Sequence, residues 1–271
     1  MAITTMDGLV SALGTAQTQH LFFPSATNVA GGWINLNQAV TSSFGIMAVP
    51  TAFGSGGKTY NRTSETTGFP RFSNPGGANS QYIAQMTTNM ATAGTVHIYD
   101  LCWAASGFSG TSTTAQSVVG FSGLPTRHST GEDLEIWLGC SSATGATASN
   151  ITVQYTNSAG TSGRNTVSTA MITSMPANRM LQLPLQSGDN GVQSIQSLTL
   201  SASTATAGNL WLLLVERYAS VACPVANVGV TADFASLAMP KISAETTPLF
   251  IHQGTTTSSG IIMGIMSIVE G

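Results

Sequence analysis

The chain has 271 residues, enough for one large domain or two small ones with a real core, and a net charge of −3. Only 7% of its residues are charged, against about 25% in ordinary soluble domains, while 42% are hydrophobic. That balance excludes a disordered chain, and the scattered Lys and Arg residues exclude the basic stripe by which nucleic-acid binders neutralise phosphates.

The opening MAITTMDGLVSAL has neither a basic start nor a long apolar run, so a signal peptide is not expected. Nor does any apolar stretch approach the ~20 residues that span a bilayer, so a membrane is not an expected partner. This segment is instead the one good helix candidate. Thr4 or Thr5 caps it, Asp7 suits the first-turn dipole, Ile3, Met6, Leu9, Val10 and Leu13 recur at helical spacing, and Gly14 stops it. A helix this short needs something to dock on.

From Phe22 to Gly94 the chain reads as loop-heavy, with GSGGKTYNRTSETTGFPRFSNPGGANS full of turn formers. Phe53, Tyr60, Phe69 and Phe72 are its aromatic pins. Residues 1–94 are therefore expected to form the helix and a loop-rich arm packed on a main domain at 95–271.

After Gly94 come short strands rich in β-branched and aromatic residues: TVHIYDLCW, DLEIWLGC, NITVQYTN, RMLQLPLQ, VQSIQSLTLS, NLWLLLVERYA, PLFIHQ and GIIMGIMSIVEG. Ile151, Val153 and Tyr155 alternate with Thr152 and Gln154, the period-2 mark of a half-buried strand. With no second helix of ordinary length and no fixed repeat, the expected fold is all-β, a sandwich or jelly roll of antiparallel sheets with roughly eight to ten strands. The last strand, with Ile261, Ile262, Ile265, Met266, Ile268 and Val269, has little polar face. It should be buried on both sides, in the sandwich or at a subunit interface.

Catalytic patterns are missing. His97 lies three residues before Asp100, which in a strand sends the two side chains to opposite faces. His128, near Glu132 and Asp133, offers a metal site or a His–carboxylate pair, but a polar turn entering LEIWLGC explains the same residues more cheaply. GFSG lacks the nucleophile-elbow spacing, and GSGGKT lacks that of a phosphate loop. GDNG, with Asp189 and Asn190, reads as a tight turn before it reads as a calcium loop. Cys102, Cys140 and Cys223 have no metal or redox spacing and behave as small core residues. No enzyme activity, cofactor or metal is expected. Of the four tryptophans, Trp103, Trp137 and Trp211 sit in predicted strands and read as core; only Trp33, in AGGWINLN, is a candidate glycan platform for the rival reading, a receptor- or carbohydrate-binding β domain of a tail fibre or adhesin.

GTVHIYDLCW with the later TTAQ, LPTRHSTGEDLEIWLGC, NITVQYTNSAGTSGRN and GDNGVQSIQSLTLS together resemble a group of tailed-phage virion proteins encoded among head genes. The resemblance covers most of the chain. It implies a capsid-associated structural protein, a decoration (cement) or minor head component made in the host cytoplasm and carried in the virion. Its implied partners are itself, as a homotrimer or other homo-oligomer, and the major capsid or other head proteins. A surface of hydroxyls and amides suits such packing, because contacts that lean on charge pairs weaken with salt. The shell contacts are expected in the helix at 4–13, through Met6, Leu9, Val10 and Leu13, and in the loop at 53–79, through Phe53, Tyr60, Phe69 and Phe72.

Overall fold

A computed structural model of the chain describes residues 3, 5–27, 30–39, 41–65, 67–72, 80–243 and 245–271. The protein is mostly β, in antiparallel sheets, with a short N-terminal helix. Helix α1 is Met6–Gly14, capped by the Thr5 hydroxyl, which accepts the Gly8 N–H at 3.0 Å. The strands follow in order: β1 Gln17–Phe23, β2 Trp33–Asn35, β3 Lys58–Thr59, β4 Gln81–Met90, β5 Gly94–Phe108 and β6 Gln116–Ser117. Next come β7 Leu134–Ser142, β8 Asn150–Asn157, β9 Arg164–Asn165, β10 Thr169–Ala170, β11 Arg179–Leu183 and β12 Val192–Leu200. The last five are β13 Asn209–Cys223, β14 Val230–Ala232, β15 Lys241–Ile242, β16 Pro248–Gly254 and β17 Ile262–Glu270. Among the described residues the other α-helical segments, Leu36–Ala39 and Phe234–Leu237, are single turns.

The chain forms two interleaved units, one of residues 1–47, 62–99 and 218–271, the other of 48–61 and 100–217. The expected division at 94/95 is therefore corrected. Two of the unit boundaries, at 99/100 and 217/218, fall inside β5 and β13, strands whose two halves serve different cores. The expected arm is corrected as well, because β1 and β4 are sheet strands and β2 and β3 are short ones. Both β1 and β4 were hidden by their Gln and Thr content, which weakens the apolar alternation. Residues 66 and 73–79 of the expected contact loop, and Thr4 of the expected helix, lie outside the described residues.

In the first unit, β1, β17, β4 and β14 lie side by side, and β15 also pairs with β4. One face of that sheet, carrying Leu21, Phe23, Ile83, Met86, Met90, Ile262, Met266 and Ile268, closes a core with Ile34, Val96, Val221 and Phe250. In the second unit, β10, β8, β12 and β6 form one layer, with β9 on β8. The predicted alternation of β8 holds, with Ile151, Val153 and Tyr155 buried and Thr152 and Gln154 half-buried. Facing it are β7, paired with β11 and with Asn209–Glu216 of β13, and the end of β5. Trp103, Trp137 and Trp211 are each no more than 1% exposed, as their strand positions predicted.

One tight approach fixes how β5 is covered. Gly56 and Gly57 adopt left-handed φ values of 80° and 71°, and the Gly56 carbonyl accepts the Trp103 indole N–H at 3.1 Å. A Cβ on Gly57 would stand 2.5 Å from the Trp103 ring. Gly57→Ala therefore combines backbone strain with overpacking and should destabilise the second unit by about 2 kcal/mol, read as a lowered urea midpoint. An unchanged midpoint would count against this account.

Candidate functional site

Two features of the described residues stand apart from ordinary core and surface: a buried charge cluster and an open apolar sheet face.

The cluster begins with Asp100, whose side chain is fully buried in the middle of the apolar β5. Pro125, with extended backbone, leads into a single 3₁₀ turn, Thr126–His128, that presents two side chains to it. Arg127 donates from Nε and Nη2 to the two Asp100 oxygens at 2.6 and 2.9 Å, the fork geometry that suits guanidinium and carboxylate. Its Nη1 and Nη2 also donate to the Tyr60 and Leu101 carbonyls, both at 3.2 Å. The Nε2 of His128 lies 2.9 Å from Asp100 Oδ2 and 3.3 Å from Glu216 Oε2, which arrives on β13. Cys102, two residues beyond Asp100 on the same face of β5, completes a group whose ligand atoms on Asp100, Cys102 and His128 lie within 4.8 Å of one another. Burial, then the Asp100 charge, pushes the Cys102 thiol well above its ordinary range, so it is a neutral thiol when the cluster holds nothing.

Sequence reasoning missed this constellation. It set His128 beside Glu132 and Asp133 and weighed Asp100 only against His97, whereas His128 turns to Asp100 and Glu216. A carboxylate inside each of two apolar runs, YDLCWAA and WLLLVERYA, was the available signal, since a buried charge needs a partner.

A second ion-pair group explains GDNG. The Asp189 carboxylate accepts from Tyr155 Oη at 2.5 Å, Asn157 Nδ2 at 2.8 Å and Arg164 Nε at 2.9 Å. Its hydrogen bond from Arg164 leads in holding the acid down at about 2. These partners make it a loop lock, in line with the tight-turn reading. The three cysteines are free and buried.

The expected contact residues divide. Tyr60 is 1% exposed, and Phe69 and Phe72 are also buried, so as core residues they are corrected as interface candidates. Arg62 lies over the Phe72 ring, 5.3 Å from its centroid, and Phe53 stacks on Phe108 at 4.5 Å. On α1, Leu9 is buried and Leu13 half-buried, whereas Met6 and Val10 are exposed. Leu9 is therefore corrected too: a helix packed on β17 must bury one stripe. Trp33 is half-buried in β2, its ring 4.7 Å from that of His97.

The open face belongs to β17. Its Ile262, Met266 and Ile268 point into the core, but Met263 and Ile265 are 49% and 40% exposed. Phe22, directly opposite Met263 on β1, is 42% exposed, and His20 stands opposite Ile265. With Thr87 and Asn89 of β4 they line a shallow groove of about 390 Å³. Within the chain the expected burial holds for Ile262, Met266, Ile268 and Val269, while Met263 and Ile265 are left open.

No family model matches the sequence, and no curated protein does. Solved structures of the Gx and Gt strains of infectious bursal disease virus align with 94% of this chain and 81% of theirs, at 9% identity and TM-scores of 0.20 and 0.18. The VP2 subviral particle of the same virus aligns over 94% and 80%, at 9% identity and a TM-score of 0.16. Superpositions at this level carry no argument about fold or role. Among the described residues no helix is long and apolar enough to cross a membrane.

Proposed function

We propose that this chain is a non-enzymatic structural protein of a virus particle, of the tailed-phage kind its sequence resembles, attached to neighbouring shell subunits as a decoration, cement or minor head component. The observation that carries the reading is the open apolar face of β1 and β17, in a chain with only 7% charged residues. Phe22, Met263 and Ile265 form adjacent exposed positions with no charged residue among the groove's lining. Three apolar side chains open on one sheet face support a protein contact there, and a neutral rim would make that contact insensitive to salt. A homo-oligomer would multiply modest contacts into high avidity.

Ile265→Lys places a charge at the centre of that face while leaving the core side of β17 unchanged. It should weaken self-association or particle attachment by about tenfold or more, measured by light scattering and by co-sedimentation with particles. A wild-type chain that stays monomeric at all concentrations and binds no particle would overturn the proposal.

A further inference from the structure

We infer that Asp100, Cys102, His128 and Glu216 form a site for one divalent transition-metal ion of the zinc class, a role independent of the assembly reading. Asp100, Cys102 and His128, from β5 and the Thr126–His128 turn, bring their ligand atoms within 4.8 Å of one another, and Glu216 on β13 reaches His128 Nε2 at 3.3 Å. Asp100 Oδ2, Glu216 Oε2 and His128 Nε2 lie at separations of 2.9 and 3.3 Å about the imidazole nitrogen, and the Cys102 sulfur lies within 4.8 Å of the Asp100 and His128 ligand atoms. Oxygen, nitrogen and sulfur donors together fit a borderline-soft ion and argue against calcium or magnesium, which take oxygen.

On binding the ion, the Cys102 thiol would give its proton to solvent and bind as thiolate, and His128 would bind through Nε2. Arg127 then acts as the outer partner that orients Asp100, gripping both oxygens while leaving Oδ2 turned toward His128. The Glu216 side chain, 27% exposed, provides the way in.

The competing account keeps the same contacts as a hydrogen-bonded ion-pair cluster with no metal. Cobalt(II) separates the two. Chelator-stripped, full-length protein titrated with cobalt(II) should develop thiolate-to-metal charge-transfer absorption and visible ligand-field bands that saturate at one equivalent and vanish on adding zinc. Cys102→Ser should lose the charge-transfer band, and Glu216→Gln, at a partly exposed position, should weaken binding by more than about tenfold. Zinc should also raise the unfolding midpoint of the stripped wild type. If the stripped wild type, shown folded by circular dichroism, gives no charge-transfer band, the site does not exist. A band that persists in Cys102→Ser would also overturn it, since the sulfur would then belong to another cysteine. If Cys102→Ser does not fold, the wild-type spectrum together with Glu216→Gln decides.

Discussion

Asp100→Ala is expected to destabilise the second unit by about 3–5 kcal/mol, among the largest effects of any single substitution in this chain. The side chain is fully buried, and it is the carboxylate that Arg127 grips with two bonds. Removing it takes the two-bond carboxylate partner from a guanidinium whose side chain is only 7% exposed. The remaining bonds from Arg127 to the Tyr60 and Leu101 carbonyls soften the loss without cancelling it. Asp100→Asn keeps the shape and one acceptor, so its cost should fall between wild type and alanine. Replacing both partners, as Asp100→Leu with Arg127→Met, should recover much of the deficit, because the penalty lies in leaving one charge alone and not in lacking the pair. Urea unfolding followed by tryptophan fluorescence suits the test, since Trp103, Trp137 and Trp211 all belong to this unit. A deficit under about 1 kcal/mol for the alanine variant would mean that the cluster is solvated in solution.

Mild acid should destabilise the first unit, through His252. Its imidazole is fully buried on β16, neither ring nitrogen has a hydrogen-bond partner among the described residues, and burial pushes its pKa from 6.5 down to about 4. Above about pH 6.5 the folded and unfolded chains both hold it neutral, and it adds no pH dependence. Below that, the unfolded chain takes up a proton and the folded one does not, until the pH reaches about 4. Stability is therefore lost as pH falls across this window. At about 1.4 kcal/mol for each pH unit of displacement, the total is about 3 kcal/mol. His252→Leu removes two unsatisfied nitrogens at similar volume, so it should be neutral or stabilising at pH 7 and should flatten this part of the profile. Thermal midpoints of both proteins at pH 7 and 4.5 make the comparison, and an unchanged acid slope in the leucine variant would assign it to other groups.

These two residues mark the reach of sequence reading well. Both were visible as polar side chains inside apolar strands, YDLCWAA and PLFIHQ. Nothing local identified the partners of the first or the lack of partners of the second. Arg127 and His128 approach Asp100 from a turn, and Glu216 from a strand much further along the chain. The same limit applies to β1 and β4, whose amide-rich sequences pass for loop until a neighbouring strand takes their hydrogen bonds.

By itself the sequence determined what depends on near neighbours: the capped helix at the start, the alternation of β8, the tryptophans in strands and the all-β class. Those features follow from periodicity and turn chemistry over a few residues, where backbone geometry dictates which side chains share a face. Only the tertiary structure decided what depends on pairing across long stretches of chain. It split β5 and β13 between two cores, turned Tyr60, Phe69 and Phe72 inward, and left one face of β17 open. It also drew Asp100, Cys102, His128 and Glu216 together. The physical reason is that a strand's own pattern sets which residues alternate, while the layer that comes to cover each face sets which of them meet water, a neighbour or an ion.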